Sequence, residues 1–279
     1  MRRTPALLLL LLLIAAALCL PAQARKKSKK DVKTNGEVEA VWPDPVSRKS
    51  KPDSSPQAVR IPDFYATSDG RSRRNSPDNH LHGIDVSHYQ GNIDWATVAR
   101  QSEVGYVYLK ASEGLNNQDS HYARNVREAR KQGLKVGSYH FYRANVSAKE
   151  QFNNFMSMVN VRQQDLIPLI DVESTSRVSS HTFHSRLKEL LKLVSKEFGC
   201  KPMIYTGRNF YNKHFAGQGY DEYPFMIAQY SEPEPYLNDG RDYLIWQYSA
   251  TGSIRGIRGN VDRSRFVGRH GLSDILIKK

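Results

Sequence analysis

The 279-residue chain is 39% hydrophobic and carries a formal net charge of +13 at neutral pH. This length and composition suffice for one sizeable buried core with a polar extension. Of the two cysteines, Cys19 lies in an N-terminal apolar run, so removal of that run leaves Cys200 alone and excludes an internal disulfide.

Residues 1–24 have the pattern of a secretory signal peptide. Two arginines precede an apolar run from Ala6 to Leu20, which is followed by the small-residue site Ala22-Gln23-Ala24. The run is shorter than the roughly 20 apolar residues that span a bilayer, so we expect cleavage after Ala24 rather than a retained anchor. The sequence therefore predicts an exported protein, located in the periplasm, in the cell envelope or outside the cell, with no stable membrane insertion.

Residues 25–82 are predicted to form a basic, largely disordered linker. The runs "RKKSKK" and "RSRR" lie among Ser, Pro, Asp and Asn with little apolar content. Two interpretations remain open: attraction to anionic envelope polymers by charge, and a solvated spacer. Nucleic acid is not an expected partner, because the exported chain lacks a motif that combines basic and aromatic residues.

Residues 83–270 alternate short apolar runs with helical patterns, and 271–279 are predicted to be a C-terminal tail. Eight runs predict strands: "GIDVSHY", "VGYVYLKAS", "KVGSYHFYR", "DLIPLIDVE", "KPMIYTG", "FMIAQYS", "YLIWQYS" and "GNVDRSRF". Helical segments follow the first five runs; one has Ser147 and Glu150 in capping-box spacing. This order favours an α/β closed barrel that lacks some helices over a doubly wound open sheet, since no Gly-rich phosphate loop follows any strand.

Acidic residues recur where the predicted strands end. Asp171 and Glu173 follow one apolar run at i and i+2, and Asp85 and Asp262 belong to the first and last runs. Two acids on one face of a strand lie about 6.5 Å apart, so their pKa values are expected to diverge as in a glycosidase acid pair. The competing interpretation is structural: the acids mark the point where a strand leaves the core.

Aromatic and polar residues near these ends are candidates for sugar contacts. The predicted substrate-binding residues are Tyr139, Tyr205, Trp246, Gln247, Lys110, Glu113 and Tyr89. Among the other aromatic residues, Phe141 and Tyr230 are expected to be structural. His82, His88, His121 and His140 suggest a metal site as an alternative, but no HExxH motif occurs and a lone His after a strand is more often a hydrogen-bonding residue, so neither a metal nor a cofactor is predicted.

Several ordered motifs resemble glycoside hydrolase family 25, the muramidase type of lysozyme. They are "GIDVSHYQGNIDW", "YLKASEG", "GSYHFYR", "PLIDVE" and "WQYSATGSIRGIRGNVDRSRF". The resemblance covers about residues 83–268 and implies an irregular TIM-like (β/α)5(β)3 barrel. It further implies hydrolysis of the β-1,4 bond between N-acetylmuramic acid and N-acetylglucosamine in peptidoglycan.

The resemblance also implies roles for individual residues. Glu173 matches the general acid, and Asp171 matches the partner carboxylate that stabilises or orients the 2-acetamido group. Asp85 and Asp262 match further acids of the rim, and Glu113 matches a glutamate of the family pattern. Retaining, inverting and substrate-assisted routes all remain open, as does a catalytically silent glycan-binding module on the same barrel. The expected partner is the peptidoglycan glycan strand, and the expected state is a monomer.

Overall fold

The computed structural model describes residues 81–230 and 233–278. The predicted signal peptide and nearly all of the predicted linker lie outside these residues. Within them, no helix is both long enough and apolar enough to cross a membrane.

The described chain alternates strands and helices and then continues as strands. The strands are β1 (His82–Val86), β2 (Val104–Glu113), β3 (Asn117–Gln118), β4 (Lys135–Phe141), β5 (Leu169–Asp171), β6 (Met203–Gly207), β7 (Phe225–Ala228), β8 (Ile245–Gly252) and β9 (Val261–Phe266). The α-helices are α1 (Trp95–Ala99), α2 (Tyr122–Lys131), α3 (Ala148–Met158), α4 (Ser180–Phe198) and α5 (Arg208–His214).

Eight of the strands close into a barrel. The order is β1-β9-β8-β7-β6-β5-β4-β2, and a parallel pair between β1 and β2 completes the ring, with the short β3 attached to β2. The five helices lie between the strands from β1 to β7, and within the described residues no α-helix separates the last three strands. The predicted (β/α)5(β)3 barrel is therefore confirmed.

The last strand departs from the parallel pairing that alternating strands and helices predict. β9 is antiparallel to both β8 and β1. It follows β8 through a short loop, which is too short for the crossover that a parallel neighbour requires. As a result the beginning of β9, where Asp262 lies, meets the rim that the other strands reach with their carboxyl ends.

Two tyrosines on β2 fill the barrel interior. Tyr106 and Tyr108 are almost completely buried, and they face glycines on both neighbouring strands. A Cβ at Gly83 would lie 2.0 Å from the Tyr106 ring, and one at Gly137 would lie 2.5 Å from the Tyr108 ring. Glycine is required at both positions because the aromatic rings occupy the space that a side chain would take.

The outer layer follows the sequence pattern. The buried residues of α4 are Phe183, Leu187, Leu190, Leu191, Val194 and Phe198, which recur at helical spacing. The predicted capping box at the start of α3 is present, with Ser147 and Glu150 bonded to each other's backbone N–H.

The segment predicted as a C-terminal tail packs against the barrel. Ile275 is fully buried with the barrel-interior residues, and its carbonyl accepts a hydrogen bond from the backbone N–H of Ile167. Leu276 forms a bridge with Leu166, so residues 271–278 pack across the base of the barrel. The apolar side chains in "GLSDILI" account for this packing, because they add to the core.

Candidate active site

The four predicted acids lie at one rim of the barrel. Asp85 is the fourth residue of β1, and Asp262 on β9 is its register partner. Asp171 is the last residue of β5, and Glu173 follows it in the loop beyond the strand. The Asp171–Glu173 pair therefore spans the point at which the chain leaves the sheet.

Burial and mutual repulsion raise the pKa values of three of these acids. Burial raises the pKa of Asp85 well above its ordinary value, and the charges of Asp262 and Glu173 add to the effect. Burial and the charge of Glu173 raise the pKa of Asp171 well above normal as well, and the same two causes raise that of Asp262 to about 7. Glu173 is therefore the acid whose charge acts on all three others, and the cluster holds protons close to neutral pH.

Two carboxyl oxygens in the cluster are buried and make no hydrogen bond to any described residue. They are Oδ2 of Asp85 and Oδ1 of Asp171. A buried polar atom without a partner is costly, and such atoms in native structures call for a functional explanation. Each oxygen can accept a hydrogen bond from a ligand when it carries no proton and donate one when it does.

An ion-pair cluster on β2 and β4 lies beside the acids. Glu113 accepts hydrogen bonds from Lys110 Nζ at 2.8 Å and from Arg143 Nε at 2.9 Å. Burial tends to raise the pKa of Glu113, but the two cations together lower it below normal. Both cations also lie against the Phe141 ring, at 5.2 Å and 4.5 Å from its centre. The positive charge of Lys110 also acts on Asp171 and lowers its pKa, so this cluster affects the protonation of Asp171.

Tyr205 and Gln247 lie below the surface of the site. Gln247 is only 1% exposed, and its side-chain amide donates to Asp85 Oδ1 at 2.7 Å. Its carbonyl oxygen accepts from the hydroxyl groups of Tyr205 and Tyr230, both at 2.8 Å. The structure thus differs from the prediction that Gln247 contacts substrate directly, because its side chain is buried and bonded to protein groups.

The exposure of Trp246 and Tyr230 differs from what their predicted roles suggest. Trp246 is 1% exposed, belongs to the core between barrel and helices, and donates its indole N–H to the carbonyl of Gln229 at 2.8 Å. Alternation along β8 explains this burial, because Gln247 points into the barrel and its neighbour must point outward. Tyr230, expected to be structural, is instead 48% exposed. Tyr89, a predicted sugar contact, is exposed.

Tyr139 is half-buried on β4, and the charges of Asp171 and Asp85 act on its hydroxyl. Tyr139, a predicted sugar contact, therefore lies close to the acid cluster. Arg143 is a polar residue at this rim that is not among the predicted site residues. The sequence feature that indicates this residue is its position two residues after β4, directly following an aromatic pair at the strand end.

The four histidines considered as metal ligands have separate hydrogen-bond partners. The pairs are His82 with Tyr248, His88 with Asp119, His121 with Ser120, and His140 with Ser112 and Gln151. Among the residues that the structure describes, no three His, Cys, Asp or Glu side chains are grouped as a metal ion would need.

An α/β barrel with carboxyl groups clustered at the carboxyl ends of its strands is the architecture of many glycoside hydrolases. Comparison with known proteins agrees. The model of the glycosyl hydrolases family 25 matches residues 84–257. The chain belongs to this family and is a lysozyme-type glycoside hydrolase. Asp85, Asp171 and Glu173 lie within the matched residues, and Asp262 lies just beyond them.

Individual relatives cover most of the described chain. The Escherichia coli K12 protein YegX is 36% identical over 76% of this chain and 73% of its own length. The autolytic lysozyme of Clostridium acetobutylicum is 36% identical over 67% of this chain and 56% of its own. The crystal structure of the bacterial lysozyme from Streptomyces coelicolor has a TM-score of 0.62 at 27% identity, covering 70% of this chain and 94% of that one.

Proposed function

We propose that the protein is an exported muramidase that hydrolyses the β-1,4 bond between N-acetylmuramic acid and N-acetylglucosamine in peptidoglycan. The observation that carries the proposal is the cluster of four interacting acids at the rim of a family 25 barrel. The lysozymes among its relatives support the choice of substrate.

Glu173 is the proposed general acid. It donates its proton to the glycosidic oxygen as the bond from that oxygen to the anomeric carbon breaks. Its place among the acids supports this role, because its charge acts on Asp85, Asp171 and Asp262, and repulsion between neighbouring carboxylates favours the protonated form of a carboxyl group.

Asp171 is the proposed partner of the substrate's 2-acetamido group. Oδ1 of Asp171 makes no hydrogen bond to any described residue and can accept one from the acetamido N–H. The carbonyl oxygen of the acetamido group then attacks the anomeric carbon and forms a cyclic intermediate. Water then adds to that carbon, gives its proton to Glu173, and restores both the acetamido group and the acid. Asp85 and Asp262 orient the sugar at the reacting centre through hydrogen bonds.

The route predicts retention of configuration. Proton NMR of freshly formed products should show the β-anomer first; an α-anomer formed first would contradict substrate assistance and point to inversion. Tyr89 and Tyr139 are the proposed sugar contacts, because the first is exposed and the second adjoins the acids.

The central test uses the full chain with bacterial peptidoglycan. Mass spectrometry should find new reducing ends on N-acetylmuramic acid, and Glu173→Gln should lower the rate at least about 100-fold. The matched control is Glu189→Gln on the exposed face of α4, which should retain wild-type activity. Ends on N-acetylglucosamine would contradict the choice of bond. Binding without new ends would favour a glycan-binding module.

Export is a separate proposal, since residues 1–24 lie outside the described part of the chain. Expression in a bacterial host and N-terminal sequencing of the mature protein should find Arg25 as the first residue. An intact N-terminus on a cytoplasmic product would contradict it.

A further inference from the structure

The side chain of Gln247 links two tyrosines to one of the rim acids. Its carbonyl oxygen accepts from Tyr205 and from Tyr230, each at 2.8 Å, and its amide nitrogen donates to Asp85 Oδ1 at 2.7 Å. Gln247 and Tyr205 are buried, whereas Tyr230 is about half exposed, so the network runs from the rim surface into the barrel.

These partners determine which way the amide points. The two ends of a glutamine amide have nearly the same shape, so its orientation follows from the groups around it. Both tyrosines donate to the carbonyl oxygen, which accepts two hydrogen bonds and leaves the N–H₂ group to face Asp85. With Asp85 ionised, a reversed amide would set its oxygen against a carboxylate oxygen and lose the bond to Asp85.

The same network determines which of the two carboxyl oxygens of Asp85 can carry a proton. Oδ1 already accepts an N–H at 2.7 Å, which favours the carbonyl form of that oxygen, because a carbonyl oxygen is a stronger acceptor than the hydroxyl oxygen of a carboxyl group. Oδ2 is buried and makes no hydrogen bond to any described residue. The proton therefore belongs on Oδ2.

We propose that Gln247 is a positioning residue, held by Tyr205 and Tyr230, which fixes the Asp85 carboxyl group with Oδ1 as acceptor and Oδ2 as the proton-carrying oxygen. The inference rests on the proposed function, because it gives Asp85 a defined state in the hydrolysis. It also assigns the tyrosine pair a role in orienting the acid rather than in contacting sugar.

Gln247 is one of several groups that act on Asp85. Acids from two other elements and tyrosines from four others also face it: Asp262 on β9, Asp171 and Glu173 at the end of β5, Tyr106 and Tyr108 on β2, Tyr139 on β4, Tyr205 on β6 and Tyr230 after β7. Burial and the charges of Asp262 and Glu173 raise the pKa of Asp85, and the Gln247 hydrogen bond lowers it. Loss of the Gln247 amide should therefore raise the pKa of Asp85, so that its carboxyl group keeps the proton to higher pH.

The test is Gln247→Met, which keeps the length of the side chain and removes its hydrogen bonds. NMR of the full chain labelled with ¹³C in aspartate carboxyl groups reports the titration of Asp85, assigned by its absence in Asp85→Asn. The Asp85 midpoint should rise by about one pH unit. kcat on peptidoglycan should fall about tenfold, with its pH profile shifted in the same direction and KM within about twofold.

A second variant tests the proposal if Gln247→Met does not fold. Tyr205→Phe combined with Tyr230→Phe retains Gln247 but releases its carbonyl oxygen, and should shift the Asp85 midpoint in the same direction by less. The matched control is Tyr248→Phe, the next residue on β8, whose hydroxyl bonds to His82; it should leave the midpoint unchanged.

An unchanged Asp85 midpoint in a folded Gln247→Met protein, or in the double tyrosine variant if the first does not fold, would overturn the positioning role. The titration is independent of turnover. A wild-type protein without muramidase activity would therefore refute the proposed function and leave the result on Gln247 standing.

Discussion

Asp85 on β1 and Asp262 on β9 are paired across an antiparallel junction of the barrel. The pairing brings acids from the first and last strands side by side at the rim. Each carboxyl group has a raised pKa, mainly because of burial. The site therefore holds electrostatic strain that the fold must offset elsewhere.

This strain predicts that Asp262→Asn stabilises the protein while it impairs catalysis. Since the pKa of Asp262 is raised to about 7, the folded state retains a proton that the unfolded chain releases near pH 4. Stability is therefore lost as the pH rises from about 4 to about 7. Removing the charge should increase the free energy of unfolding at pH 8 on the order of 2 kcal/mol.

Chemical denaturation at pH 8 and at pH 3.5 measures this effect. The gain should be present at the higher pH and absent at the lower one, where both states are protonated. Glu189→Gln provides the exposed control and should change stability little at either pH. An equal gain at both values would mean that packing, rather than charge, is responsible.

The buried His140 should give the opposite pH dependence of stability to Asp262. Burial lowers the pKa of His140 to about 4, so the folded state keeps the ring neutral while the unfolded chain takes up a proton near pH 6.5. Its contribution to stability is complete above about pH 6.5 and is lost as the pH falls toward 4, in total about 3 kcal/mol.

The partners of His140 also define its tautomer. The Gln151 amide nitrogen donates to two carbonyls, of Arg143 and Val146, so its oxygen must accept from His140 Nε2–H. The neutral ring is left to accept from the Ser112 hydroxyl at Nδ1. His140→Gln should therefore be less stable than wild type at pH 7, with a smaller difference at pH 4.5. A difference independent of pH would show that His140 does not titrate in this window.

The barrel could be predicted because its signals are local. Apolar runs of strand length, helical spacing in α4 and the Ser147–Glu150 capping box each depend on neighbours in the sequence, and the structure has all three. The clustering of the acids at one rim could also be predicted, since parallel strands end at one side of a barrel.

The remaining features depend on contacts between distant residues. Gln247 and Asp85 are 162 residues apart, and no local pattern indicates their hydrogen bond. Trp246 lies in a motif rich in aromatic and polar residues, which hides the alternation that turns it away from the site. Ile275 looks like part of a tail because its partners at the base of the barrel are far away in sequence.

The packing of the barrel interior makes Gly83→Ala a severe substitution. The added methyl group would lie 2.0 Å from the Tyr106 ring, and both are confined between strands. We expect a loss of about 3 kcal/mol in the free energy of unfolding, measured by chemical denaturation. Gly207→Ala, where a Cβ has no neighbour within 4 Å, should have a small effect. Tyr106→Leu should restore part of the stability of Gly83→Ala; no recovery would refute a direct clash.

The ion-pair cluster predicts opposite effects on Asp171 from two neighbouring substitutions. Lys110 lowers the pKa of Asp171, and the charge of Glu113 raises it. Lys110→Met should therefore raise the Asp171 midpoint and Glu113→Gln should lower it, each by about half a pH unit. Carboxyl NMR in the full chain measures both, and Arg127→Gln on the exposed face of α2 is the control. Movement in the same direction would mean that the substitutions act by disturbing the fold, because only charge gives the two changes opposite signs.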